Sequence, residues 1–149
     1  MKLYFFIFAC LLLSGCATTK PAVSVASNEF PRTSVTAAMA DAAYSSSDWE
    51  KSEQHYLSLL ELTPDNGHFW YRLGNIYSST NRIHEAIVAY NQALILDPQN
   101  TYAWYNLGMV QLKQSAYTFN AMQSQLTQQD PMNNRARHIL ERIMGLLNE

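Results

Sequence analysis

The sequence predicts an all-α chain in which helical hairpins recur along the polypeptide. Three observations carry this. First, HFWYRLGNIY (residues 68–77) aligns with YAWYNLGMVQ (residues 102–111) at a spacing of 34, placing Trp70 over Trp104, Tyr71 over Tyr105, Leu73 over Leu107 and Gly74 over Gly108, while Pro64 precedes Pro98 by the same interval. Second, Trp70, Leu73 and Tyr77, then Ile87, Tyr90 and Leu94, follow the i, i+3, i+4 spacing of one helix face. Third, 149 residues with 48% hydrophobic and 15% charged side chains, five Gly and five Pro describe one globular domain and exclude a disordered, collagenous or disulfide-dense chain.

The amino end reads as an address. Met1 and Lys2 precede an uncharged apolar run over residues 3–13, the build of a secretory signal peptide and too short for the ~20 apolar residues of a membrane-spanning helix. Leu13-Ser14-Gly15-Cys16 resembles the bacterial lipobox, which implies a lipoprotein signal peptide over residues 1–15 and lipidation (diacylglyceryl and acyl chains such as palmitate) of Cys16. Two or three acyl chains, at about 0.8 kcal/mol per buried CH₂, would hold the domain on a membrane without spanning it. By resemblance to enterobacterial sorting, Ala17 implies the outer membrane, with the domain facing the periplasm. Residues 16–32, rich in Ala, Ser, Thr and Pro, read as a flexible tether reaching roughly 20 Å as a coil and about 50 Å extended.

Three units of about 34 residues follow, over residues 33–66, 67–100 and 101–132. The first keeps Asp48-Trp49 at its turn and Tyr56, Leu59 and Pro64 in its second helix, but its first helix lacks the Trp, Leu and Gly pattern. In the second unit, helices are expected over about residues 69–79 and 84–96. Gly74 leaves room for the partner helix, Ala86 and Ala93 do the same from the other side, and Asp97-Pro98 stops the second helix. Asn100 or Thr101 can cap the next. The third unit repeats the first-helix pattern, but a second helix over residues 117–129 would place Asn120, Ser124 and Gln125 at packing positions. Residues 133–148 set Ala136, Ile139, Leu140, Ile143 and Leu147 on one face, the amphipathic cap that a solenoid needs. The expected total is seven helices.

Residues 67–100 fill the pattern W-x₂-L-G-x₂-Y…A-x₃-F…P with Trp70, Leu73, Gly74, Tyr77, Ala86, Tyr90, Ala93 and Pro98, Tyr replacing Phe. Trp104, Leu107 and Gly108 renew it one period later. The chain therefore resembles the tetratricopeptide repeat (TPR) family, which implies a right-handed superhelix of about three repeats plus a capping helix. The same resemblance implies a concave peptide groove, here at Asp41, Tyr44, Tyr71, Asn75, Ser78, Tyr102, Tyr105, Asn106, Met109 and Lys113, with Arg135, His138 and Arg142 on the cap. Asn75 and Asn106 match two positions of the family's carboxylate clamp. Tyr71 and Ile139 stand where that clamp wants basic residues, and only Arg135 fits.

The chemistry of the rest is quickly bounded. Removal of Cys10 with the apolar run and lipidation of Cys16 would leave no free thiol, which excludes disulfides, thiolate catalysis and cysteine-based zinc sites. The four histidines share no metal-ligand spacing, and no Walker loop, G-x-S-x-G or G-x-G-x-x-G is present, so neither enzyme, metal nor cofactor is expected. A net charge of −2 provides no footprint for nucleic acid. The expectation is a membrane-anchored adaptor that presents its groove to an envelope protein or peptide, with no small-molecule substrate. In plan it resembles small outer-membrane TPR lipoproteins such as type IV pilus pilotins; the alternative is a scaffold for peptidoglycan-modifying enzymes or periplasmic proteases.

Overall fold

The computed structural model describes residues 29–148, so Cys16, the apolar run and the tether up to residue 28 lie outside the described residues. Six helices follow one another: α1 (Glu29–Ser45), α2 (Trp49–Leu62), α3 (Gly67–Ser79), α4 (Ile83–Leu96), α5 (Thr101–Gln125) and α6 (Pro131–Leu147). They form three antiparallel pairs, α1 with α2, α3 with α4 and α5 with α6, each first helix after α1 also packing on the helix before it. The expected all-α repeat fold is what forms, with no strand among the described residues. α1 begins inside the stretch read as tether, with Pro31 in its first turn, where a missing N–H costs least.

Side chains at the boundaries set these elements. Asp48, Asn66, Asn100 and Asp130 each accept a hydrogen bond from a first-turn N–H of the helix that follows. Within the first two pairs the chain reverses through a residue in the left-handed region, Ser47 (φ 59°) and Asn81 (φ 61°), which are 34 residues apart. Between pairs, the indole N–H of Trp70 donates to the Pro64 carbonyl and that of Trp104 to the Pro98 carbonyl, both at 2.9 Å, closing each loop the same way. The core runs from Ala40, Tyr56 and Leu59 through Leu73, Ile76, Ala86, Ala89 and Tyr90 to Ala103, Leu107 and Val110. Small residues let the first pair close: Ser52 is buried and donates its hydroxyl to the Ala40 carbonyl at 3.1 Å.

The third pair departs from the expected one. Residues 117–125 do not fold back as a separate second helix but extend α5 to 25 residues, and α6 is the return arm of a longer hairpin, not a detached cap. Seven expected helices become six among the described residues. The cause lies one period beyond Ser47 and Asn81. There the chain reads Lys113-Gln114-Ser115-Ala116, with no glycine, asparagine or proline to turn it and no side chain at 116 to cap a new helix. Ser115 instead donates its hydroxyl to the Gln111 carbonyl within the helix at 2.9 Å. The turn moves to Thr127-Gln128-Gln129-Asp130, where Asp130 caps and Pro131 occupies the first helical turn.

This change separates two glycines that the sequence makes equivalent. A Cβ built on Gly74 would lie 2.5 Å from Cδ1 and Cε1 of the Tyr90 ring, so α4 approaches α3 only because that side chain is missing. A Cβ on Gly108 would meet nothing within 4 Å, because no helix returns over it with a ring in place. Gly108 is thus not the close-contact position that its place in the repeat suggests. Gly74→Leu is expected to lose about 1–3 kcal/mol to overpacking, and Gly108→Ala to gain about 0.5–1 kcal/mol from helix propensity. Thermal unfolding of the two variants should therefore shift in opposite directions, and equal shifts would contradict the unequal packing.

Candidate functional site

The inner helices α1, α3 and α5 present one continuous depression. Tyr71, Asn75 and Ser78 lie at i, i+4 and i+7 on α3, opposite the buried Leu73 and Ile76, and Asn106 and Met109 extend the same surface along α5. With Tyr44 of α1, Ser79, and Tyr90 rising from α4, they line an open hollow of about 360 Å³. Six of the expected groove residues, Tyr44, Tyr71, Asn75, Ser78, Asn106 and Met109, are brought together in this way. Tyr102 and Tyr105 lie nearer the amino end of α5 and outside the hollow, their rings exposed. Arg135 is exposed on α6 and does not line the hollow; the lengthened hairpin leaves the expected contribution of the last helix unmet.

A hydrogen-bond relay fixes the floor. The Tyr90 hydroxyl and the Asn106 amide nitrogen both donate to Oδ1 of Asn75, each at 2.8 Å. Both lone pairs of that oxygen are then engaged, so Asn75 turns its NH₂ donors, and Asn106 its carbonyl oxygen, to whatever enters. Burial, the largest influence, pushes the Tyr90 hydroxyl up from the ordinary tyrosine range, so it remains a neutral donor. In the sequence Tyr90 is only a ring filling a phenylalanine position. Its hydroxyl is the functional feature missed there, and the signal was the extra oxygen itself, which a buried tyrosine must spend on a partner.

One end of the hollow is braced by charge. Arg72 pairs with Asp41 at 3.4 Å and lies 4.5 Å over the Tyr44 ring, while Asp41 also accepts from the Tyr56 hydroxyl. Asp41, expected in the groove, is thus committed to a bridge joining α1, α2 and α3. Burial first, then the nearby Arg72 cation, lowers the His68 pKa and so favours the neutral imidazole. Among the described residues no group of three or more His, Cys, Asp and Glu could hold a metal ion, and no helix is long and apolar enough to cross a membrane. The hollow therefore offers amide, hydroxyl, thioether and ring contacts, without formal charge on its lining.

Comparison with known proteins gives this geometry its context. Residues 55–88 match the family model described as tetratricopeptide repeat, and residues 74–115 the one described as TPR repeat. None of the curated proteins matches the chain. Among solved structures, the TPR domain of Arabidopsis OM64 is similar in fold, with 19% sequence identity, a TM-score of 0.52, and coverage of 76% of this chain and 94% of that one. Repeats of this type indicate a role in protein–protein interaction, and no enzymatic family is indicated. The matches cover residues 55–115, that is the end of the first helix pair, the whole second pair and the start of α5, so this part of the chain is similar to tetratricopeptide repeats and sits within a stack of antiparallel helix pairs.

Proposed function

We propose that the chain is a non-catalytic adaptor of the bacterial cell envelope, lipid-anchored through Cys16 to the outer membrane, that holds a protein partner in pilus or secretion assembly through its concave face. The observation that carries the reading is the preorganised floor of Asn75, Asn106 and Tyr90 beneath Tyr71 and Met109. Fixed donors and acceptors suit a peptide backbone, and tyrosine rings give contact area at low entropic cost. The anchoring rests on the Leu13-Ser14-Gly15-Cys16 tetrad.

Photo-crosslinking in cells from position 105 tests the groove. Tyr105 is 66% exposed, so its replacement should leave the fold intact. The captured protein should be the same across replicates. Its capture from position 105 should fall at least about tenfold when Tyr71→Ala is added to the same chain, as for loss of an aromatic anchor. Undiminished capture would place the contact elsewhere. The anchor has its own test: Cys16→Ala should move the folded protein out of the membrane fraction, and unchanged fractionation would remove the lipid from the account.

A further inference from the structure

The outer surfaces of the first and last helix pairs carry matched stripes. On α2, Glu50, Leu57 and Glu61 fall at i, i+7 and i+11, on one side of the helix and away from the buried Ser52, Tyr56 and Leu59. All three are exposed, Leu57 at 42%. On α6, Met132, Ile139 and Leu146 recur every seven residues, flanked by Arg135 and Arg142 at the same interval, all on one flank of the stripe formed by the buried Ala136 and Ile143. Ile139 is 39% and Leu146 50% exposed. Among the described residues none of Glu50, Glu61, Arg135 and Arg142 forms an ion pair. The opposing charges are turned aside: Lys51 lies about a quarter-turn from Glu50 round α2 and pairs with Asp48 at 2.8 Å, and Glu141 lies about a quarter-turn from Arg142 and about a third of a turn from Arg135 round α6.

We propose that the α6 stripe of one copy of this chain seats on the α2 stripe of another. Each stripe is an exposed apolar centre bracketed by charge, acidic on one and basic on the other, so the two are complementary and neither is complementary to itself. Ile139 has an arginine about 6 Å along the helix on one side and about 4.5 Å on the other, and Leu57 has Glu61 about 6 Å away and Glu50 about 10.5 Å away, within reach of long arginine side chains. Because the stripes belong to different elements at opposite ends of the stack, the contact is heterologous and joins copies head to tail. It uses the outer surface and leaves the hollow at Asn75 and Asn106 free. Arg135, unused by the hollow, acquires a partner in this way.

The test uses the full chain in non-ionic detergent, with a benzophenone-bearing residue introduced at position 139. Irradiation should yield an adduct of twice the chain mass that maps to residues 49–62 of the second copy, with less of it at high salt. Glu50→Arg/Glu61→Arg alone, and Arg135→Glu/Arg142→Glu alone, should each reduce the yield about tenfold, the equivalent of roughly 1.4 kcal/mol of lost pairing. An equimolar mixture of the two variants should restore it, since each then meets the opposite charge. No double-mass adduct, an adduct outside α2, or a mixture that fails to restore the yield would overturn the proposal. So would charge-dependent binding of α6 to vesicles containing phosphatidylglycerol without any adduct between copies.

Discussion

Tyr90→Ala is expected to destabilise the fold by about 3–5 kcal/mol, the range for truncating a buried ring, out of the 5–15 kcal/mol that typically holds a domain. The ring is 1% exposed, sits against the bare backbone of Gly74, packs at 6.2 Å from the Tyr71 ring and donates its hydroxyl to Asn75. Truncation opens a cavity and withdraws one of the two donors that orient Asn75. The equivalent position one period later is Ser124, which is exposed on α5, and Ser124→Ala should change stability by no more than about 0.5 kcal/mol. A double-mutant cycle sharpens the point. Gly74→Ala should destabilise the natural sequence, because the new methyl meets the ring at 2.5 Å, yet stabilise the Tyr90→Ala background by about 0.5–1 kcal/mol, where only its helix propensity remains. Urea unfolding followed by circular dichroism measures both, and a coupling near zero would mean that the ring and the glycine do not meet.

Ser115→Pro is the second large effect, at about 3 kcal/mol or more. In the middle of the continuous α5, proline deletes the bond from residue 115 to the Gln111 carbonyl and drives its ring into the preceding turn. The bend would also displace Tyr117, whose hydroxyl donates to Asn81 at the α3–α4 turn at 3.0 Å. A fall in melting temperature of about 10 °C or more is expected. If residues 113–117 were instead the turn of a regular hairpin, proline would be accepted there at little cost. A melting temperature within about 2 °C of the natural sequence would therefore restore the separate helix expected over residues 117–129.

The contrast between these sites shows what the sequence could and could not convey. The second helix pair was legible almost to the residue, because Gly74, Ala86, Tyr90 and Ala93 specify packing while Asp97-Pro98 specifies the end, and local and long-range preferences agree. The third pair was misread because Trp104, Leu107 and Gly108 carry the pattern without the partner that gives it meaning. The repeat supplies the receiving surface and the chain past Gln114 supplies no ring to fill it. Turn chemistry at Ser115-Ala116, not the signature, decided the outcome. The hollow was readable as a set of positions at helical spacing, since Tyr71, Asn75, Asn106 and Met109 do converge. Which of their atoms would face outward was not readable, because that depends on Asn75 accepting from two helices at once. Arg135 lies on the helix whose role differs from the expected one and does not line the hollow.

The bonds from Trp70 to Pro64 and from Trp104 to Pro98 have a consequence for how such a chain can grow. Each clasp is contained within seven consecutive residues and asks nothing of its neighbours. A duplicated stretch of gene would arrive with its own coupling ready-made, set at the same angle as the original, so that new units could be added or lost without redesigning the joints between the old ones.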